Sequence, residues 1–562
     1  MWIQADDFVR GADAAPGLRA ALAAAAESGA QGVAFAAREY RCETAQEFPT
    51  LLGAHDEGCG LQTARSAHLR LQNAAHFTLR GAVDAAGRPA TRLVGANPET
   101  PQALLPVLLW AENCPGLTLE NITFTRSPAA AGTALVESVA GGEIVARPID
   151  GKTYTAPAGA YCMNRFDPQS RALLGASLTN GFGYDTRWQP RADGTLLLHD
   201  PALAARLRPG EGVSWHQAGK TDFLLYLGQC DALRLQNLRI ENTNGFAILT
   251  ECCAGITASR VDISPAGAQF FTGPRDGWKI SRCAGQITVE DCRFEGVRMD
   301  GQNVHSNYLI VQKLVDAHTM LCKCRYAPHP LKTGSGLLFT DRNDCTRSAA
   351  AAIANWTLAD TRMAPPPAPP PGDGAAPRVG QPNRVNTYRI RVEGPLPPWA
   401  GPGTLVQALC WEPAQYTCRR SVFKNIAGAG HLLRCRRFLL EENRYENLMN
   451  AGVLLGAELD THTECGNVAE GTIRKNTFRN IGAKPRYGVY GCACIAVKAQ
   501  GMRGPYNRRL QILENTFAAS PCAVELNDAA DVCLSGNRYE GVAVRCKADP
   551  LTTQNVQQGD GI

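Results

Sequence analysis

Residues 276–306 read DGWKISRCAGQITVEDCRFEGVRMDGQNVHS. One Asp-Gly pair opens the stretch and a second, Asp300-Gly301, closes it 24 residues later. Short strand-like runs, ITVED and RFEG, lie between them. Runs this short cannot build a core alone, so they must stack on copies of the same pattern. One coil of a β-helix between the two aspartates would put both on one wall. Their Cα atoms would then be about 4.8 Å apart, the spacing of neighbouring strands.

Outward from this stretch the pattern recurs: a strand, an Asn or Cys, one or two residues, then Phe or Tyr. It is written LTLENITF (117–124), ITVEDCRF (287–294), FLLEENRY (438–445), GTIRKNTF (471–478), LQILENTF (510–517) and VCLSGNRY (532–539). Asn443, Asn476, Asn515 and Asn537 follow one another at intervals of 33, 39 and 22 residues, a solenoid period. Alternate side chains of each strand would enter a shared interior. Asn at the corner would take a left-handed backbone and stack on its counterpart, and the aromatic ring would fill the inside. The chain is therefore expected to be all-β, a right-handed parallel β-helix. Pro16–Ser28, followed by GVAFAAREY, supplies a helix and first strand that cap the open end.

Two stretches break the rhythm. Residues 131–222 contain PIDGKTYTAPAGAYCMNRFD, DGTLLLHD and LRPGEGVSW, hairpins with turn signals. Residues 309–420 contain SGLLFTDRND, VNTYRIRVEGPLPP and the Pro-rich MAPPPAPPPGDGAAP (363–377), the last an extended, mobile loop. Each is read as an inserted small β-barrel. The expected order is cap and first coils 1–130, barrel 131–222, central coils 223–308, barrel 309–420 and final coils 421–562.

A net charge of +5 without a basic block interleaved with aromatics gives no electrostatic support for a nucleic-acid role. No run of about 18 apolar residues spans a membrane. The N-terminus lacks the basic region of a secretion signal, so the expected location is the cytoplasm, or secretion with a trimmed signal. The 21 cysteines are scattered without a CxxC pair, and read as small buried side chains rather than as disulfides or a metal site.

Two acids on one exposed wall suit hydrolysis of a glycosidic bond, one protonating the leaving oxygen and the other activating water or attacking carbon. Asp-Gly equally marks turns. Asn303 and His305 alternate after Asp300 and suit recognition of sugar hydroxyls, or else are a corner Asn and a solvated His. The excursion AELDTHTECGN interrupts two strands and carries Glu458, Asp460 and Glu464. Such excursions gather on one face.

These residues resemble glycoside hydrolase family 110, the exo-acting α-1,3-galactosidases that remove terminal galactose, as in the blood-group B antigen. The resemblance rests on the run from Asp276 to Thr288, on Cys292 to His305, and on Glu464 to Phe478. It implies an inverting hydrolase of glycans with no metal or cofactor. Asp276 and Asp300 would be the catalytic carboxylates, Asp276 as acid and Asp300 on the base side, and Glu464 an assisting acid in the same cleft. The chain departs from the family at Met299, where an acid is usual, and at Gly277, Trp278 and Lys279, where a His is usual. Trp278 is expected to stack on the sugar and Lys279 to bond its hydroxyls, and both changes point to altered substrate choice. A hydrolase for another α-linked terminal sugar, a polysaccharide lyase and a non-catalytic carbohydrate-binding solenoid remain open readings. The barrels offer surfaces for a homodimer.

Overall fold

Phe294, Phe423, Tyr445, Phe478, Phe517 and Tyr539 form one column of stacked rings, with centroids 4.6–5.5 Å apart. Five of these, all but Phe423, are aromatic residues of the repeated pattern, and the column is the inner corner of a parallel β-helix. The structure is a computed structural model that describes residues 1–49, 64–97, 105–179, 186–216, 223–326, 328–364, 383–459, 462–482, 492–502 and 504–559. Asp460 and residues 365–377 of the Pro-rich stretch lie outside them.

Two long sheets, of 22 and 13 strands, make the walls. At the centre, Trp278–Ser281 pairs in parallel with Phe246–Glu251 on one side and Gln302–Asn307 on the other. Gln302–Asn307 then pairs with His431–Leu433. The chain thus leaves the coils after 307 and returns with the stack uninterrupted. Ile280, Val304, Leu433 and Leu455 occupy one inward row in register and are buried, as alternation requires.

The glycine of each Asp-Gly pair is required by close approach. A Cβ on Gly301 would lie 2.7 Å from the Gly430 carbonyl oxygen and 2.8 Å from the Phe423 ring. One on Gly277 would lie 2.7 Å from the Gly301 carbonyl. Neither glycine has a left-handed backbone. Here the coil bends tightly over the aromatic column, and the aspartate just before it stays on the wall.

The Asn ladder forms. Asn443 N–H donates to Asn476 Oδ1 at 2.8 Å, Asn476 N–H to Asn515 Oδ1 at 2.9 Å, and Asn515 N–H to Asn537 Oδ1 at 3.0 Å. Ser421 and Cys292 take the same place on earlier rungs. The left-handed position differs from expectation. In these C-terminal coils it belongs to the preceding residue, Glu442, Lys475, Glu514 or Gly536, whereas Asn121 and Asn237 adopt it themselves. Turning the chain one residue earlier aims the amide along the stack. Asn515→Ala leaves the Asn476 N–H buried without its acceptor. Such a group costs about 1–3 kcal/mol, so urea denaturation of the variant should show a lower midpoint than that of the parent.

The helix Ala15–Glu27 starts with Pro16 in its first turn and buries Leu18, Ala21, Leu22 and Ala25 against the first coils. The first insertion is an eight-stranded antiparallel sheet, running from Ala131–Ala140 to Gly212–His216, wrapped on a core that includes Trp188 and Trp215. The second is a closed six-stranded barrel whose strands run from Leu309–Leu314 to Leu405–Ala408. Its expected end at 420 moves forward, because Pro413–Arg419 pairs with Ala284–Glu290 and is already a rung of the β-helix. The twenty described cysteines are free and mostly buried. No helix among the described residues is long and apolar enough to cross a membrane.

Candidate active site

Asp276 and Asp300 stand on neighbouring rungs. Gly277 N–H donates to the Asp300 carbonyl at 2.9 Å, and Gly301 N–H to the Ala429 carbonyl at 2.9 Å. The aspartates and Ala429 are therefore successive members of one column. Each aspartate side chain accepts from the backbone of the next rung. Asp300 N–H donates to Asp276 Oδ1 at 3.3 Å, and Ala429 N–H donates to Asp300 Oδ1 at 2.8 Å. Asp276 is 5 % exposed and Asp300 partly exposed.

The next residues along these rungs divide by strand alternation. Trp278 and Ile280 point inward, and Lys279 and Ser281 outward. Trp278 is fully buried in the hydrophobic core, with its indole N–H donating to Thr250 Oγ1 at 3.2 Å. It cannot stack on a ligand at the wall, which corrects the role expected for it. Consecutive residues of one strand face opposite sides, so Trp278 and Lys279 cannot both reach the cleft.

Lys279 is in register with Asn303, and Ser281 with His305. Asn303 Nδ2 donates to Asp276 Oδ2 at 3.4 Å, a long contact. Glu464 arrives from the excursion, which folds back so that Glu464–Cys465 pairs antiparallel with Ser306 and Asn307. Gly466 makes the return feasible: its φ is +142°, and a Cβ there would lie 2.0 Å from the Arg434 carbonyl oxygen. Glu464 Oε1 is 4.0 Å from Lys279 Nζ and 3.7 Å from His305 Nε2. Its Oε2 accepts from Arg434 Nη1, whose Nε donates to the Gly456 carbonyl at 3.0 Å.

Burial raises the Glu464 pKa, but the Arg434 guanidinium, with Lys279, brings it down to about 2. Burial lowers that of His305 to about 3, against the pull of Glu464. His305 is therefore neutral, and its contact with Glu464 is not an ion pair. The counter-charge comes from Arg434 and Lys279. With Nδ1 3.1 Å from the Ser306 carbonyl, the ring carries its proton there, and Nε2 is a bare acceptor.

The wall thus gathers Asp276, Asp300, Lys279, Asn303, His305 and Glu464, and excludes Trp278. It also holds Arg434, which sequence reasoning passed over although an arginine between the inward Leu433 and Cys435 was a visible signal. The second barrel reaches the excursion too: Tyr326 OH and His462 Nδ1 are 2.7 Å apart, and His462 N–H donates to Glu458 Oε2 at 2.7 Å. Two carboxylates one rung apart, beside fixed cations and amides, can transfer a proton and polarise a nucleophile.

Fold and site together define a parallel β-helix with three carboxylates gathered on one wall. No family model matches the chain. It is similar to proteins named alpha-1,3-galactosidase B: 24% identical over 287 residues to one from Phocaeicola vulgatus, covering 49% of this chain and 44% of that protein. To one from Akkermansia muciniphila it is 24% identical, covering 60% and 41%. To one from Bacteroides thetaiotaomicron it is 22% identical, covering 64% and 56%. The chain spans about half the length of these curated relatives. Among solved structures it resembles the A-module of an Azotobacter vinelandii mannuronan C-5 epimerase, with a TM-score of 0.42, 10% identity and full coverage of both chains. It also resembles the catalytic domain of a GH87 alpha-1,3-glucanase, with a TM-score of 0.40, 8% identity and 97% and 66% coverage. Both scores are below 0.5, so the fold assignment rests on the rung pairing itself.

Proposed function

We propose that this protein is an exo-acting glycoside hydrolase of the family 110 type, releasing terminal α-1,3-linked galactose from a glycan with inversion. The observation that carries the reading is the column in which Asp276 and Asp300 meet beside Lys279, Asn303 and Glu464. Relatives named for this activity support it. One aspartate protonates the leaving oxygen while the other draws a proton from the attacking water. Glu464, held ionised by Arg434, is a poor proton donor at neutral pH. It serves as a fixed acceptor for a substrate hydroxyl, with Lys279 as donor.

Proton NMR of Gal-α1,3-Gal digestion tests the proposal. β-Galactose should appear first and mutarotate to the α anomer. α-Galactose as first product would overturn inversion, and absence of release would overturn the substrate.

A further inference from the structure

Asn303, His305 and Asn307 alternate along Gln302–Asn307 and are 5%, 3% and 1% exposed. Each presents one buried polar atom with no hydrogen-bond partner among the described residues: Asn303 Oδ1, His305 Nε2 and Asn307 Oδ1. The nitrogen that donates on each of these side chains already has a partner. Asn303 Nδ2 serves Asp276, His305 Nδ1 the Ser306 carbonyl, and Asn307 Nδ2 the His462 carbonyl at 3.1 Å. What remains is a row of three acceptors on one face of one strand. Asn307 is the register partner of Glu464, so its side chain lies beside the carboxylate that already faces His305 and Lys279.

Buried acceptors without donors are unfavourable, and a row of them selects a ligand that brings several O–H groups. From Asn303 to Asn307 the strand advances roughly 13 Å, a span that two linked pyranose rings cover and one does not. We infer that Asn307 accepts a hydroxyl of the second sugar, the one retained after cleavage, while Asn303 and His305 read the ring held at Asp276 and Asp300. This inference rests on the reading of the cleft as a glycan site. Asn307 acts in specificity and takes no part in proton transfer.

The test compares Asn307→Ala with the parent on Gal-α1,3-Gal and on an aryl α-galactoside. Loss of one hydrogen bond is worth up to about tenfold. KM for the disaccharide should rise at least about fivefold more than KM for the aryl substrate, with little change in kcat. Equal losses on both substrates, or no loss, overturn the inference. Should Asn307→Ala fold poorly, Asn307→Ser, which shortens the reach but keeps a small polar group, makes the same comparison. A second arm measures binding by calorimetry in Asp300→Asn: the disaccharide should bind more tightly than galactose, and Asn307→Ala should narrow that ratio. An unchanged ratio overturns the inference. A narrowed ratio in a protein whose parent releases no galactose sustains the inference and removes the hydrolase reading instead.

Discussion

Asp300→Asn should lower turnover of Gal-α1,3-Gal by about a thousandfold, within the range general acid–base groups contribute, while disaccharide binding persists. The substitution is nearly isosteric. Its Oδ1 can still accept the Ala429 N–H that now donates at 2.8 Å, so the wall should keep its shape. What disappears is the titrating oxygen. Initial rates, with calorimetry on the same preparation, separate the two effects. Turnover within about tenfold of the parent would show that Asp300 moves no proton, and lost binding would show that it holds the wall together instead.

Arg434→Met should be the most destabilising single change at the site. It strands the Glu464 carboxylate in a place where both residues are almost wholly buried. Breaking a buried pair by removing one partner costs about 3–5 kcal/mol. The loss should depend on pH. In the parent, the Glu464 pKa lies near 2 against an ordinary 4.5. The stability this adds is complete above 4.5 and fades as pH falls from 4.5 through 2. Without the guanidinium, burial pushes the carboxyl up, and the variant regains stability as the pH falls and that carboxyl takes up its proton. The Tm gap between parent and variant should therefore be wider at pH 7.5 than at pH 4. A gap that ignores pH would mean that Arg434 matters only for packing.

Several features of the coils were legible because they are local. The recurring Asn and aromatic positions follow directly from a strand, a bend and a ring. The amide ladder from Asn443 to Asn537 and the ring column to Tyr539 bear this out. Alternation was legible too, and its incomplete use explains the error at Trp278. Applied strictly, the inward Ile280 already placed Trp278 inside and Lys279 outside. The same rule carried past His305 would have reached Asn307.

From the amino-acid order alone came the stacked coils and the neighbourhood of Asp276 and Asp300. A single turn separates the two aspartates, and the glycine after each lets the chain bend close against the next rung. Folding in three dimensions decided which further groups join them. Arg434 joins the wall only because the rungs close up behind the second barrel, stacking Leu433 on Val304, and Glu464 only because its excursion doubles back onto Ser306 and Asn307. Such meetings depend on which rung stacks on which after a long departure of the chain, and no periodicity among adjacent residues encodes that.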